Sequence, residues 1–321
     1  MRHTLAELNA AAANTGFEPT MLEKVLRLVE LLGGLRAHPF LRGRLALKGG
    51  TALNLFVLDL PRLSVDVDLN YIGAVDRVTM LAERPQVEQA IQAACGRLDL
   101  MVRRVPGDHA GGKWRLGYQA AAGGTGTLEL DLNFVLRAPL WPVEACDSRA
   151  IAGSRATAFP VLDLHELVAG KLAALFGRVA GRDLYDAHAL LRLDGLDTER
   201  LRLGFVVYGG LNRRDWREIS LDDVALEPRE VERTLLPVLR RAEVPARVDI
   251  PAWTRALVEE TRVLLGRVLP LREPELEFLE RLNGRGEIAP ELITVDEGMR
   301  ATLRSHPGLL WKAVNVRAMF G

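Results

Sequence analysis

The chain has 321 residues, 48% of them hydrophobic, with 42 basic against 42 acidic side chains and a formal net charge of zero. That length favours two domains, and the charge balance excludes capture of a polyanion by the overall field, so any nucleic acid must meet a local basic surface. Cys95 and Cys146 are too few for a disulfide framework or a thiolate metal cluster, and no apolar run of 18 residues marks a membrane span or export, so a cytoplasmic location is expected.

Apolar residues Leu22, Val25, Leu26, Val29 and Leu32 fall at helical spacing and predict a helix over 20–32, stopped by Gly33-Gly34. A short strand over 44–48, a turn at Gly49-Gly50 and a helix over 51–58 follow, then a strand over 64–71 and a helix over 85–97. Three further strands are expected at 98–105, 114–121 and 127–136, joined by the glycine-rich segments 107–112 and 123–126. The second of these segments precedes a strand, so it reads as a hairpin turn and not as a phosphate loop. Residues 139–160 look irregular. Helices are expected over 163–177, with Asp163 as N-cap, and over 182–193, ended by Gly195. Beyond 196 the pattern is mainly helical, at 228–242, 253–268, 274–282 and 296–319. The expected class is α+β: a core domain over 1–195 with a small mixed sheet flanked by helices, and a helical domain over 196–321.

Alternation places Asp66 and Asp68 on one face of a strand, with Val65, Val67 and Leu69 on the other. Two carboxylates that close repel, and a bridging Mg²⁺ relieves the repulsion. On a neighbouring strand Glu129, Asp131 and Asn133 share a face; Asp131 is the favoured third metal ligand, with Glu129 as the alternative. Asp66, Asp68 and Asp131 would then hold two metal ions for phosphoryl chemistry. Gly49, Gly50 and Thr51 form a turn whose amides suit a triphosphate, although no Walker-type Gly-Lys-Ser/Thr is present.

Only five of the basic residues are lysine: Lys24, Lys48, Lys113, Lys171 and Lys312. Lys171 interrupts the apolar stripe Leu164, Leu167, Val168, Leu172 and Leu175, so its ammonium needs a polar destination such as a nucleotide phosphate. Asp183 and Asp186 stand one turn apart on the next helix, where Asp186 could instead pair with Arg182. The segment Arg213-Arg214-Asp215-Trp216-Arg217 reads either as a base-stacking RNA contact or as a solvated loop. The six histidines, His109 among them, show no metal-ligand spacing, and no nucleophile elbow occurs.

Two blocks carry a family resemblance. Lys48-Gly49-Gly50-Thr51-Ala52-Leu53 with Arg62-Leu63-Ser64-Val65-Asp66-Val67-Asp68-Leu69, and Glu166-Leu167-Val168-Ala169-Gly170-Lys171 with Arg182-Asp183-Leu184-Tyr185-Asp186, resemble the AbiEii/AbiGii-type nucleotidyltransferase toxins, including the mycobacterial MenT toxins. The resemblance spans about residues 40–195. It implies a polymerase-β-like nucleotidyltransferase core with a helical C-terminal domain, Mg²⁺ at Asp66 and Asp68, nucleotide contacts from Lys48, Gly49, Gly50, Thr51, Ser64 and Lys171, and an active-site role for Asp186. It also implies NTP as donor, RNA as acceptor, most simply the 3′ end of tRNA, and a cognate antitoxin that is either a transcriptional repressor or a kinase-like protein acting at the position of Ser64. A small-molecule acceptor of aminoglycoside type, or a protein side chain, is the alternative. The wider superfamily has Gly-Ser where this chain has Gly49-Gly50-Thr51, so a hydroxyl contact would fall to Thr51.

Overall fold

The computed structural model describes residues 3–105, 110–178 and 180–320, so His109 and part of the expected 107–112 connection lie outside the described residues. Two compact units form, one of residues 1–162 with 236–244, the other of residues 163–235 with 245–321. The division precedes the helices at 164–191 rather than following them at 195, because the apolar stripe of the first of these helices packs on partners within the second unit.

In the first unit α1 (Leu5–Thr15) starts at a capping box between Thr4 and Glu7 and ends at Gly16 in the left-handed region. α2 (Pro19–Ala37) passes through the expected stop at Gly33-Gly34, since Leu31, Leu32 and Leu35 continue its buried stripe. Gly34 is a close-packing point: a Cβ there would lie 2.9 Å from Leu98 Cδ1. β1 (Leu45–Lys48) leads into the short α3 (Gly49–Ala52), which widens into a π-helical turn over Leu53–Val57. After β2 (Asp66–Tyr71), α4 (Arg77–Arg97) begins well ahead of the expected start at Pro85. Its cap is Asp76, which accepts the Thr79 N–H, and Pro85 is absorbed inside the helix.

β3 (Met101–Arg104), β4 (Gly111–Gln119) and β5 (Thr125–Asn133) match the three expected strands, and β6 (Glu144–Cys146) and β7 (Phe159–Val161) lie in the segment expected to be irregular. Both are three residues long, too short to show a period. The seven strands form one mixed sheet in the order β3-β4-β5-β2-β1-β7-β6. β2 runs parallel to β5 and β1 to β7, and the other neighbours are antiparallel. Gly123 and Gly124, both at positive φ, close the β4–β5 hairpin as expected.

One sheet face is apolar: Val67, Leu69, Trp114, Leu116, Leu128, Leu130 and Leu132 are buried, with α2 against β5 and α4 against β3. At roughly 1.5–3 kcal/mol for each large side chain removed from water, this face fixes the strand register. The opposite face is left to the charged residues. Residues 236–244 return to this unit: Leu63 N–H donates to the Val238 carbonyl at 2.8 Å, and Arg241 N–H to the Gly16 carbonyl at 2.8 Å. The helix expected over 228–242 therefore ends at Thr234, ahead of Pro237.

The second unit is helical: α5 (Leu164–Arg178), α6 (Gly181–Leu191), α7 (Thr198–Gly210), α8 (Pro228–Thr234), α9 (Ile250–Leu265), α10 (Glu273–Arg285), α11 (Glu297–Ser305) and α12 (Pro307–Phe320). Asp163 accepts the His165 N–H at 2.8 Å, the bond expected of an N-cap. The helix expected over 296–319 is broken ahead of Pro307. Trp216 is fully buried against Phe176 and Phe205, at ring-centroid distances of 5.7 and 5.1 Å. Gly209 makes the room, since a Cβ there would meet the indole at 2.1 Å. Arg214 pairs with Asp223 and Arg217 with Asp215. The base-stacking reading of residues 213–217 is thereby corrected: the aromatic ring belongs to the core. Among the described residues, no helix is long and apolar enough to cross a membrane.

Candidate active site

Backbone register builds the charged face of the first unit. Lys48 on β1 pairs with Asp68 on β2; Asp68 pairs with Asp131 on β5; Asp131 pairs with Lys113 on β4. Two residues along, Asp66, Glu129 and Arg115 form the next row. Directly paired residues point the same way, so four strands contribute to one face.

The glycine turn fits against the second carboxylate. Gly49 has φ +69°, and a Cβ there would lie 2.1 Å from Asp68 Oδ2. Only glycine takes that backbone conformation cheaply and leaves the carboxylate its place. A Cβ on Gly50 would lie 2.8 Å from Ser64 Oγ and 3.1 Å from Arg62 Nη2. Ser64 and Arg62 are both buried, so a guanidinium stands behind the turn and adds fixed positive charge where an anion would bind. Thr51 is also fully buried and donates its hydroxyl to the Asp66 carbonyl, while Asn54 Nδ2 donates to the Gly50 carbonyl at 2.9 Å. Thr51 thus ties the turn to β2 and is not a surface hydroxyl.

The two candidate third carboxylates differ. Glu129 accepts from Lys113 Nζ at 3.0 Å and lies 3.6 Å from Arg115, and the Lys113 hydrogen bond holds its pKa below the usual value. Asp131 goes the other way: burial raises its pKa and the Asp68 and Glu129 carboxylates add to the rise, against the Lys48 and Lys113 ammonium groups. A carboxylate that is half-buried beside another is suited to a hard divalent cation. Among the described residues, no three His, Cys, Asp or Glu side chains converge as a ready-made metal cage. Mg²⁺ is commonly held by only one or two carboxylates together with substrate phosphates. Asp68 and Asp131 stand in direct register, and Asp66 lies one row along on the same face, so their oxygen chemistry suits a hard cation whose shell is completed by substrate oxygens.

The second unit holds a different cluster. Lys171 Nζ lies 2.8 Å from Asp183 Oδ1 and 2.9 Å from Asp186 Oδ2, and Arg178 Nε lies 2.6 Å from Asp183 Oδ2. Asp186 pairs here with the lysine of α5, an alternative to the Arg182 pairing that its helical spacing also allows. Burial works to raise the pKa of Asp183, but the Lys171 and Arg178 charges outweigh it and hold the carboxyl well below the usual carboxylate range. Lys171, Asp183 and Asp186 are each at most 7% exposed, and two of the three lysine N–H groups are taken. Nearby, Tyr208 donates to the buried Glu166 at 2.8 Å, and a Cβ at Gly170 would meet the Tyr208 ring at an ordinary 3.6 Å, so space alone does not require a glycine there.

The structure therefore gathers Lys48, Gly49, Gly50, Ser64, Asp66, Asp68 and Asp131 in the first unit, and Lys171 with Asp186 in the second. The one-turn spacing of Asp183 to Asp186 is legible in the sequence, but the spacing does not show that Asp183 pairs with Lys171. Arg62, behind the turn, and Lys113, beside the β5 carboxylates, take no role from the sequence, because only the fold brings them there.

The sequence profile described as nucleotidyl transferase AbiEii toxin, type IV toxin-antitoxin system, matches residues 30–260. No curated protein sequence matches the chain. A solved structure, MenT4, a nucleotidyltransferase toxin from Mycobacterium tuberculosis H37Rv, is similar at a TM-score of 0.63 with 18% identity, covering 96% of this chain and 99% of that one. At that identity the similarity speaks for the fold, a mixed α+β nucleotidyltransferase fold. With most of its length matched by the profile, this chain belongs to the AbiEii family of nucleotidyltransferase toxins of type IV toxin-antitoxin systems.

Proposed function

We propose that this toxin transfers a nucleoside monophosphate from an NTP to the 3′ end of RNA, most simply tRNA, in the cytoplasm, and so blocks translation until a cognate antitoxin restrains it. The observation that carries the reading is the row Lys48, Asp68 and Asp131 in direct register, with Gly49 shaped around the Asp68 carboxylate. In the reaction the RNA hydroxyl oxygen forms a bond to the α-phosphorus, the bond to the β-phosphate oxygen breaks, pyrophosphate leaves and the hydroxyl proton passes to solvent. The family uses an NTP and a divalent metal. Here Mg²⁺ would be held by Asp66 and Asp68 with Asp131, and when bound it would neutralise the phosphate charge and activate the hydroxyl. The Gly49-Gly50 turn and Lys48 receive the triphosphate, with the buried Arg62 behind them. Thr51 and Asn54 hold the turn in place. Lys171 and Asp186 are proposed as the nucleotide-contacting and active-site residues of the second motif.

The test is to incubate the protein with total tRNA, Mg²⁺ and each labelled NTP separately, beside Asp66→Ala. Label on RNA that is lost in the variant is the expected result and identifies the donor base. Absence of label from RNA, with Mg²⁺-dependent stabilisation by an NTP intact, would overturn the RNA acceptor and favour a small-molecule or protein acceptor.

A further inference from the structure

The carboxylate face continues past β5 into a basic strip that the transfer chemistry just described does not use. Lys113 and Arg115 on β4 are in direct register with Asp131 and Glu129 and point the same way, with side chains 65% and 56% exposed. Further out, Arg103 on β3 lies across Gly117: a Cβ there would meet Arg103 Nε at 2.5 Å. Gly117 follows Lys113 and Arg115 at alternate positions, so the missing side chain is on their face, and its absence lets the guanidinium lie flat against the sheet. Arg103 is exposed.

The face is thus ordered across the sheet. Lys48 and the glycine turn stand on the β1 side, the carboxylates on β2 and β5, and Lys113, Arg115 and Arg103 on β4 and β3. Joining two polyanions requires an anion-binding surface on each side of the carboxylates, since these repel phosphates of both reactants. The turn serves the triphosphate. We infer that the Lys113, Arg115 and Arg103 strip holds the sugar-phosphate backbone of the acceptor RNA just behind its reacting 3′ hydroxyl, an inference that rests on the RNA reading above. Strands lie about 4.8 Å apart, so the strip reaches from about 5 to about 10 Å beyond β5, the range of the first phosphates behind a terminal nucleotide. The strip is held ready at little cost. The Lys113–Glu129 pair is exposed, a kind worth at most about 1 kcal/mol, so a phosphate exchanges with Glu129 readily. These contacts go to the backbone and carry no base preference.

The experiment compares wild type with the triple variant Arg103→Ala, Lys113→Ala, Arg115→Ala, using tRNA as probe. In the variant the KM for tRNA is expected to rise on the order of tenfold. The slope of log affinity against log salt concentration should flatten by about 2, at about 0.7 for each lost contact to a single strand. Arg103→Ala alone, which touches no residue of the carboxylate row, should leave stabilisation by NTP with Mg²⁺ as in wild type, and Lys113→Arg alone should keep wild-type tRNA affinity. All three side chains are at the surface, and an unchanged melting temperature checks the fold. If wild type labels tRNA and the variant has the same KM and salt slope, the strip is wrong while the RNA reading stands. If wild type labels no RNA although NTP stabilises it, the RNA reading fails and the strip falls with it.

Discussion

Asp66, Asp68 and Asp131 stand on an open sheet face among partly exposed lysines, whereas Asp183 and Asp186 are sealed around Lys171 inside a helical unit. Both clusters are carboxylates near ammonium groups, yet their energetics differ. On the open face, water screens each pair, and the charges remain available to an ion or a phosphate that arrives later. In the buried cluster the desolvation penalty has already been met by mutual pairing, so removing one member strands the others in low dielectric. The first arrangement suits binding and exchange; the second holds a lysine at a fixed position. Substitutions should therefore separate activity from stability according to which cluster they touch.

The largest effect is expected from Asp66→Ala. Transfer should fall by at least about a thousandfold, or about 4 kcal/mol of barrier, with the urea midpoint nearly unchanged because the site is at the surface of the face. Retained activity would remove Asp66 from the site. Asp183→Ala should do the reverse and destabilise the fold by about 3–5 kcal/mol, as breaking a buried ion cluster does. Equilibrium urea unfolding reads this directly.

The same residue sets a pH dependence. Its folded-state pKa lies below the unfolded value of about 3.9, so its contribution is fully present above that pH and is lost as pH falls through the folded value. Asp183→Asn should therefore lose less stability than wild type between pH 7 and pH 3; equal losses would place the acid sensitivity elsewhere.

Gly49→Ala probes the contact between turn and carboxylate. Positive φ costs an alanine about 1–2 kcal/mol, and the new methyl displaces the Asp68 carboxylate. Transfer should fall by about a hundredfold, more than the stability change alone would give. The smallest effect is expected from Thr51→Val, which deletes the hydroxyl that ties the turn to Asp66: about 1 kcal/mol of stability, with NTP affinity close to wild type. A large loss of NTP affinity there would restore Thr51 as a direct nucleotide contact.

Much of the fold was legible because periodicity and punctuation agree locally. The strands bearing Asp66, Asp68 and Asp131 and the helix bearing Lys171 lie within a few residues of their expected places. Misreadings occurred where burial overrides local signals: Gly33-Gly34 continue α2 because Leu35 is needed in the core, and Pro85 is carried inside α4. Trp216 misled for a related reason, since flanking arginines say nothing about which way a ring turns when Gly209 leaves a hole for it.

The sequence by itself determined which carboxylates share a face, because alternation along one strand is a local property. It also placed Lys171 in an apolar stripe and carried the two motif blocks that identify the family. Only the tertiary structure decided which strands are neighbours, and hence that Lys48, Asp68, Asp131 and Lys113 stand in one row. It alone buried Thr51, set Arg62 behind the glycine turn, and closed Asp183 and Asp186 around Lys171. Register between distant segments is fixed by apolar burial on the far face of the sheet, and no window of sequence contains both partners.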